Sequence, residues 1–392
     1  MSTHLRRRKD ETSKARRLFG KNQRPAGNAA RRILFVGAFP DTPSGVHGGQ
    51  LTLCRAISSS SVWTDFTFVP FDSTQRSVPP PALYVRAVIG VGRTVRFARA
   101  LRDQSITDVI VMTANGGSAV EKTVMLAISR ASGLRTAFYP VAYRIFEDVG
   151  RSLLWRWCIQ HTIRLSTLVI CQGATIAHEV QRLGATEDQC RIVPNLAELA
   201  EMYGDIKEEA RSNEIVFLGW ITASKGIFDL LKAIHLSDEL ATVPILICSD
   251  GPDRQAARAM ASRLRLTNVQ FLGWLETGGV REILQRASTL VLPSYTEGMP
   301  GSIVEALAAG AVVVTTPVGV ITDYILHEES GLIVPVGDPA ALAEALERIQ
   351  RDPALRLRLR TRGQSLARAA FDADQASGHL SAALHHMGTR IR

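Results

Sequence analysis

The feature that most constrains this chain is a repeated alternation of short apolar runs with longer helix-like segments. Four such runs lie at residues 32–36, 108–112, 136–139 and 167–171. Each has the length and composition of a strand buried on both faces, and helix-like segments separate them. Strands that alternate with helices are typical of βαβ units, so we predict an α/β fold with a doubly wound parallel sheet.

The same alternation begins again in the second half of the chain. Further apolar runs lie at residues 214–219, 244–248, 269–272, 290–292, 312–315 and 331–334. A chain of 392 residues exceeds the usual size of one hydrophobic core. We therefore predict two Rossmann-like domains that face each other across a cleft. The predicted segments are a basic tail (1–32), a first domain (33–200), a linker (201–213), a second domain (214–365) and a helical segment (366–392).

The excess of positive over negative charge is confined to the first 32 residues of the chain. The net charge is +9, with 46 Lys and Arg against 37 Asp and Glu. The tail has eleven of the basic residues and two of the acidic ones, which leaves 35 of each sign elsewhere. A balanced body argues against a fold that wraps nucleic acid, so we expect no nucleic-acid partner. The tail itself is open to three interpretations, which are a solvated disordered arm, a nucleic-acid arm and an arm that contacts an anionic membrane surface.

The sequence also contains signals that indicate the cellular compartment of the protein. No apolar run is long enough to span a membrane, and no apolar region follows the basic tail as in a secretory signal. The five cysteines are odd in number and lack metal-ligand spacing, which is typical of reduced thiols. We expect a cytoplasmic protein, with peripheral attachment to the inner face of the membrane as a hypothesis. Residues 151–164 are either an interfacial helix or, as the stronger interpretation, a core helix with polar edges.

The stretch most informative about chemistry is residues 293–310. It follows an apolar strand, and ligands of open α/β sheets bind at the carboxyl ends of strands. Ser302 and Glu305 have capping-box spacing, so we predict a helix from Ser302 to Gly310. A helix that begins beside a Gly/Pro loop can bind phosphate. Glu297 lies in the loop with no predicted structural partner. Taken alone, Glu305 would be a cap and Glu297 a solvated side chain.

Residues 297–305, Glu-Gly-Met-Pro-Gly-Ser-Ile-Val-Glu, resemble the paired-glutamate motif of the retaining family 4 glycosyltransferases, which have the two-domain GT-B fold. Other segments of the chain resemble the same family. These are residues 219–226, 248–253, 268–273 and 330–339 in the second half, and 45–49 and 192–195 in the first half. The second half resembles the family more specifically than the first.

The resemblance implies roles for particular residues. Glu297 would hold hydroxyls of the donor sugar, and Lys225 would neutralise the diphosphate, so these two are the implied catalytic residues. Without the family, Lys225 could equally be a solvated loop lysine. Glu305 would accept hydrogen bonds from the ribose. The other implied donor-binding residues are Gly48, Gly49, Gly273, Trp274, Met299, Gly301, Ser302 and Ile303.

The chain departs from the family pattern in two places. Trp220 stands where the family usually has an arginine, and no histidine occupies the expected strand end in residues 137–144. Candidate acceptor-side residues are therefore His47, Tyr139, Tyr143 and Arg144, with packing as the alternative for the last three. No histidine pair has ligand spacing except His385 and His386, so we expect no metal site.

The implied reaction is transfer of a sugar from a nucleotide-sugar to an acceptor hydroxyl, with retention at the anomeric carbon. The nucleotide-sugar is then a substrate, and we expect no cofactor. The acceptor would be a glycan or a lipid-linked glycan, in assembly of exopolysaccharide or lipopolysaccharide. Because of Trp220, the alternative is a non-catalytic subunit that binds nucleotide-sugars. A GT-B enzyme of another reaction, such as an epimerase, is less well supported.

Overall fold

The computed structural model describes residues 31–39, 49–74, 82–113, 117–203 and 211–389. Most of the basic tail and residues 204–210 of the expected linker lie outside these ranges, so the structure does not test those predictions. Across the described ranges, no helix is both long enough and apolar enough to cross a bilayer.

The first sheet has six parallel strands in the order β2-β1-β3-β4-β5-β6. The strands are β1 (Arg32–Gly37), β2 (Thr67–Asp72), β3 (Ile106–Thr113), β4 (Arg135–Pro140), β5 (Leu168–Cys171) and β6 (Cys190–Ile192). The helices are α1 (Gly49–Ser59), α2 (Leu83–Ala100), α3 (Gly117–Ala131), α4 (Arg144–Arg151), α5 (Leu153–Leu165) and α6 (Ala174–Arg182). Alternate side chains of β1 point into two different cores, which is why the strand is apolar throughout.

The second sheet also has six parallel strands, in the order β12-β11-β10-β7-β8-β9. The strands are β7 (Ile215–Leu218), β8 (Ile245–Cys248), β9 (Val269–Phe271), β10 (Thr289–Leu292), β11 (Val312–Thr315) and β12 (Leu332–Ile333). The helices are α7 (Ile227–His235), α8 (Arg254–Arg263), α9 (Thr277–Arg286), α10 (Gly301–Ala309), α11 (Ile321–Tyr324), α12 (Pro339–Arg351), α13 (Pro353–Leu366) and α14 (Ala373–Thr389). The prediction of two Rossmann-like domains is confirmed.

The last helix returns to the first domain. Leu380, Leu384 and Met387 of α14 are fully buried in the same core as α1 and one face of the first sheet. The amide of Ala197 donates a hydrogen bond to the carbonyl of Phe371, where the chain passes from the second domain back to the first. The amino-terminal core is therefore completed by the carboxyl-terminal end of the chain.

Three elements differ from the sequence-based predictions. Strand β2 was not predicted, because it is only half-buried and contains Pro70, which an edge strand tolerates. For helix α2 the sequence pattern predicts only residues 94–102, whereas the helix begins at Leu83, since exposed apolar side chains and two glycines obscure its periodicity. The helix predicted over residues 151–164 begins at Leu153 instead, because Ser152 is extended (φ −148°, ψ 123°) and separates α4 from α5.

A buried carboxylate joins the first sheet to α14. Asp108 on β3 is inaccessible to solvent and accepts hydrogen bonds from both Arg31 and Arg135. Arg31 also donates to the carbonyl of Leu384 at 2.6 Å. Burial acts to raise the pKa of Asp108, but the hydrogen bonds from the two arginines outweigh it, so the pKa is lowered.

We expect Asp108→Asn to lower the free energy of unfolding by about 3 kcal/mol, because two partly buried guanidinium groups lose their carboxylate. The lowered pKa means that the wild-type contribution is present above the ordinary aspartate pKa. It is lost as the pH falls through the lower folded-state pKa. Urea unfolding across the acid range should therefore show the two proteins converging at low pH. A difference that does not change with pH would contradict the assigned ion pair.

Candidate active site

The loop at residues 293–300 lies between a buried strand and a short helix. Strand β10 is fully buried, and α10 ends at Gly310, which adopts a left-handed conformation (φ 79°). The predicted helix is therefore present, but the predicted capping box is wrong. The helix begins at Gly301 with Pro300 as the N-cap residue, and no side chain caps it. Ser302 thus lies inside the first turn, where it cannot act as the N-cap.

The carboxylate of Glu297 is nearly buried and has partners, contrary to the prediction that it has none. Its exposed fraction is 8%. The ammonium group of Lys225 lies 2.5 Å from both carboxylate oxygens, and the hydroxyl of Ser294 donates to Oε1 at 2.7 Å. Lys225 and Glu297 are 72 residues apart in the chain. The structure thus brings together the two residues that the resemblance implied as catalytic.

The position of Lys225 is fixed by contact between two loops. The amide of Tyr295 donates to the carbonyl of Ser224 at 2.8 Å. Gly226 has a left-handed conformation (φ 75°), and a Cβ atom there would lie 2.0 Å from the carbonyl oxygen of Pro293. Only glycine allows this close approach. The loop after β7 is therefore packed directly on the loop after β10, and Lys225 is held facing Glu297.

The other side of the Glu297 loop contacts the first domain. The side-chain amide of Asn195 donates to the carbonyl of Met299 at 2.8 Å, and Gln172 donates to Asn195. A Cβ atom at Gly298 would lie 2.6 Å from the carbonyl oxygen of Val141. The candidate site is therefore built where the two domains meet.

A second interdomain contact lies close to the first. Asp323 of α11 accepts hydrogen bonds from the amide and hydroxyl of Thr175, at 2.9 and 2.6 Å. Tyr324 donates to the carbonyl of Gln172. These contacts hold the start of α6 against the second domain. These contacts were not predictable from the sequence, because short polar side chains at loop ends have no characteristic spacing.

Glu305 lies on α10 and is largely buried. Burial raises the pKa of its carboxyl from 4.5 to about 7. No hydrogen-bond donor among the described residues contacts this carboxyl group. The residue keeps partial access to solvent, and its carboxyl oxygens are not among the enclosed, unpaired side-chain atoms of the described ranges. Glu305 therefore has no protein hydrogen bond, within the described ranges, that a bound molecule would have to displace.

The remaining donor-side candidates lie in several places. His47 and Gly48 fall outside the described residues, and Gly49 begins α1. Gly273 follows β9 in a left-handed conformation (φ 79°), next to the half-exposed Trp274. Gly301, Ser302 and Ile303 form the first turn of α10, where the N–H groups of Gly301 and Ser302 have no acceptor among the described residues. These groups can bind an anion.

The acceptor-side candidates separate into core and surface residues. Tyr139 is fully buried on β4, its hydroxyl has no hydrogen-bond partner within the described ranges, and burial raises its pKa. Its assignment to the acceptor side is therefore wrong, and the packing alternative applies. Tyr143 is half-buried, with its pKa raised by burial and by Glu179. Arg144 is exposed at the start of α4.

Sequence reasoning missed three side chains of the site. Ser294 binds Glu297 directly, whereas Asn195 and Gln172 connect the loop to the first domain. Asn195 closes the segment 192–195, which had been singled out without a role for its side chain. Ser294 has only its nearness to Glu297 in the chain as a signal, and Gln172 has none.

We expect Gly319→Ala to lower the free energy of unfolding by about 2 kcal/mol. Gly319 has φ 60°, and a Cβ atom there would lie 2.3 Å from the carbonyl oxygen of Glu297. The control is Gly278→Ala on α9, where a Cβ atom meets nothing within 4 Å. Urea unfolding of both variants checks this. Equal stability of the two would contradict the tight approach of residue 319 to the Glu297 loop.

We expect Glu305→Gln to change how stability depends on pH. In the wild type, the unfolded carboxyl ionises near pH 4.5, whereas the folded carboxyl keeps its proton to about pH 7. Wild-type stability should therefore fall by up to about 3 kcal/mol as pH rises across this window. The glutamine variant has no such loss, so its advantage should grow from about pH 5 to about pH 8. A constant difference in thermal unfolding would contradict the raised pKa.

The fold places the chain in a class of known architecture. It superposes on sucrose-phosphate synthase from Thermosynechococcus elongatus with a TM-score of 0.72 at 17% identity, over 91% of this chain and 99% of that one. The crystal structure of Anabaena Alr3699/HepE in complex with UDP and glucose gives a TM-score of 0.69 at 14% identity, over 90% and 99%. The chain therefore has the GT-B fold, as the resemblance implied.

Sequence comparison finds a family match in the second half of the chain. Residues 202–366 match the family model described as Glycosyl transferases group 1, and this range includes Lys225, Glu297 and Glu305. The chain is 31% identical to D-rhamnosyltransferase WbpZ of Pseudomonas aeruginosa, over 38% of each protein. It is 29% identical to the putative teichuronic acid biosynthesis glycosyltransferase TuaC of Bacillus subtilis, over 56% of this chain and 55% of that one. The chain thus spans about half, or less, of the length of these curated relatives.

Proposed function

We propose that the protein is a retaining glycosyltransferase of family 4, which moves a sugar from a nucleotide-sugar to an acceptor hydroxyl. The observation that carries this proposal is the Lys225–Glu297 pair at the carboxyl edge of the second sheet. It lies beside an uncapped helix start and belongs to the same loop–helix unit as the unpaired carboxyl of Glu305. One cation, free amide groups and two carboxylates are what a sugar joined to a nucleoside diphosphate requires.

The proposed roles follow from the charge of each group. Lys225 would bind the diphosphate as a point charge and stabilise it as it leaves. The free N–H groups of Gly301 and Ser302 would bind the same phosphates at the positive end of α10. Glu297 would accept hydrogen bonds from sugar hydroxyls, and Glu305 from the ribose. Glu297 would also orient Lys225 before the donor binds, because the two already form an ion pair.

Retention is proposed to proceed by attack on the same face of the sugar. The bond between the anomeric carbon and the diphosphate oxygen breaks, and the acceptor oxygen bonds to that carbon from the same side. The departing phosphate oxygen takes the proton of the acceptor hydroxyl, so no separate base is needed. We propose that Lys225 and the backbone amides, rather than a metal ion, balance the charge of the leaving group. Transfer that persists in a chelator would agree with this proposal.

The names of relatives and structural neighbours support the substrate classes. Alr3699/HepE was crystallised with UDP and with UDP-glucose, and LpsE of Rhizobium meliloti is described as a lipopolysaccharide core biosynthesis glycosyltransferase. We therefore propose a nucleotide-sugar donor and a lipid-linked glycan acceptor. Such a reaction would place the protein in the cytoplasm, at the inner face of the membrane.

We expect Glu297→Gln and Lys225→Met each to lower the rate of sugar transfer by about 10²- to 10³-fold, because each loses a charge that acts on the reacting donor. Control variants are Glu282→Gln on α9 and Lys232→Met on α7, which remove like charges of the same domain outside the loop. Transfer from UDP-, GDP- and ADP-sugars to a panel of lipid-linked acceptors measures the effect. Thermal unfolding with and without nucleotide shows whether each variant still folds and binds.

Each outcome bears on a different part of the proposal. Full activity of Glu297→Gln would remove its assigned role. Inversion of the anomeric configuration, read by NMR of the product, would contradict the retaining mechanism. Nucleotide binding without transfer to any acceptor would instead favour the non-catalytic subunit that Trp220 suggests. No thermal shift with any nucleotide would count against the whole proposal.

A further inference from the structure

Exposed apolar side chains are concentrated on one layer of helices in the first domain. Helix α3 contacts both α2 and α5, so the three lie side by side on the sheet. On α2, four exposed residues recur at helical spacing along one face: Tyr84, Val88, Val91 and Val95. Helix α3 adds Val120 and Val124, and α5 adds Leu153, Leu154 and Trp157. A monomer rarely leaves so many large apolar groups together in water, so this layer indicates a binding surface.

The most exposed part of the layer is a corner between two helices, which we call the apolar corner (Leu153, Leu154 and Trp157). The extended Ser152 ends α4, and its hydroxyl accepts a hydrogen bond from the amide of Trp155 to begin α5. Leu153 and Leu154 are 85% and 75% exposed, and Trp157, one turn further on, is 57% exposed. The opposite side of α5 is buried in the core, so the apolar corner projects outward.

A basic pocket lies directly against the apolar corner. It has a volume of about 210 Å³ and is lined by Arg151, Arg156 and Arg182, together with Leu153. Arg182 is paired with Glu179 at 2.6 Å. Arg151 and Arg156 are exposed and have no acidic partner among the described residues. The pocket therefore offers two uncompensated guanidinium groups to an anion, beside side chains that favour an apolar environment.

The helices of this layer carry an excess of positive charge, as the basic pocket does. Helices α2 and α5 together hold six arginines and no aspartate or glutamate. Acidic groups nearby are Glu121 on α3, which is paired with Arg93, and Glu147 and Asp148 on α4. The folded body as a whole is balanced in charge, so this excess is local. An apolar face bordered by arginine is complementary to an anionic bilayer, where acyl chains lie beneath phosphate groups.

We propose that this layer docks on an anionic phospholipid bilayer. The apolar corner enters the boundary between headgroups and acyl chains, where tryptophan is favoured. Arg151 and Arg156 bind a lipid phosphate in the basic pocket. This surface is distinct from the basic tail, and it would place the first domain against the membrane. The inference names a partner of the proposed enzyme, but its test measures binding alone, so it can fail without affecting the proposed reaction.

The experiment is co-sedimentation of the full-length protein with vesicles of phosphatidylcholine containing phosphatidylglycerol. We expect Leu153→Asp/Leu154→Asp to lower the partition coefficient roughly tenfold or more, because two apolar side chains no longer leave water. The matched control is Leu326→Asp/Leu357→Asp, which changes two half-exposed leucines of the second domain. Arg151→Gln/Arg156→Gln should weaken binding only when phosphatidylglycerol is present. Its control is Arg263→Gln/Arg358→Gln.

A second readout is fluorescence quenching by brominated lipid, which should decrease in Trp157→Phe relative to the wild type. The same losses are expected in a protein lacking residues 2–28, because the layer acts independently of the tail. Unchanged partitioning of both the Leu153/Leu154 variant and the Arg151/Arg156 variant would overturn the proposal. Binding that depends on residues 2–28 alone would overturn it too. If the corner variants instead convert a dimer to a monomer in sedimentation, the face binds a second copy of the chain and the proposal is wrong.

Discussion

The ion pair between Lys225 and Glu297 is the interaction on which the candidate site depends. It exists because β7 and β10 are neighbouring parallel strands, with Thr289 beside Ile215 in register, so the loops that follow them leave the sheet at the same edge. Withdrawing the carboxylate of Glu297 from water costs several kcal/mol, and a pair with the partly exposed Lys225 need not repay that cost. A pair of this kind is poorly explained by stability alone. It is well explained by a site prepared for a ligand with anionic and hydroxyl groups.

The geometry of that pair depends in turn on how the two domains meet. Asn195 binds the Met299 carbonyl, and the backbone of Val141 lies so near Gly298 that no side chain fits between them. A movement of the first domain would therefore change the position of the loop that holds Glu297. Because α14 completes the core of the first domain, the chain crosses between the domains twice. Such a double crossing tethers the two domains to each other at two places in the chain.

How much the sequence predicts depends on whether the signal is local. Strand β10 and helix α10 were predictable, because a buried apolar run and a terminal Gly310 are local features. Glu297 and Lys225 were each recognisable within a motif, but their pairing was not, since 72 residues separate them. The capping box was wrong because Pro300 is the N-cap and the helix begins at Gly301, one residue before Ser302. Tyr139 was misassigned because the sequence does not show that its side of β4 is covered by the core that includes α1 and α14.

The charge of the chain illustrates the same limit. In the sequence, the excess of basic residues belongs to the tail, and the remaining body is neutral. In the fold, the charges of that neutral body are unevenly distributed. Helices α2 and α5 contain arginines but no Glu or Asp. Neither helix contributes a residue to the Lys225–Glu297 site, and the apolar corner lies on the first domain alone. The proposed membrane surface and the proposed nucleotide-sugar site therefore do not overlap, and the first domain would lie nearest to the lipid.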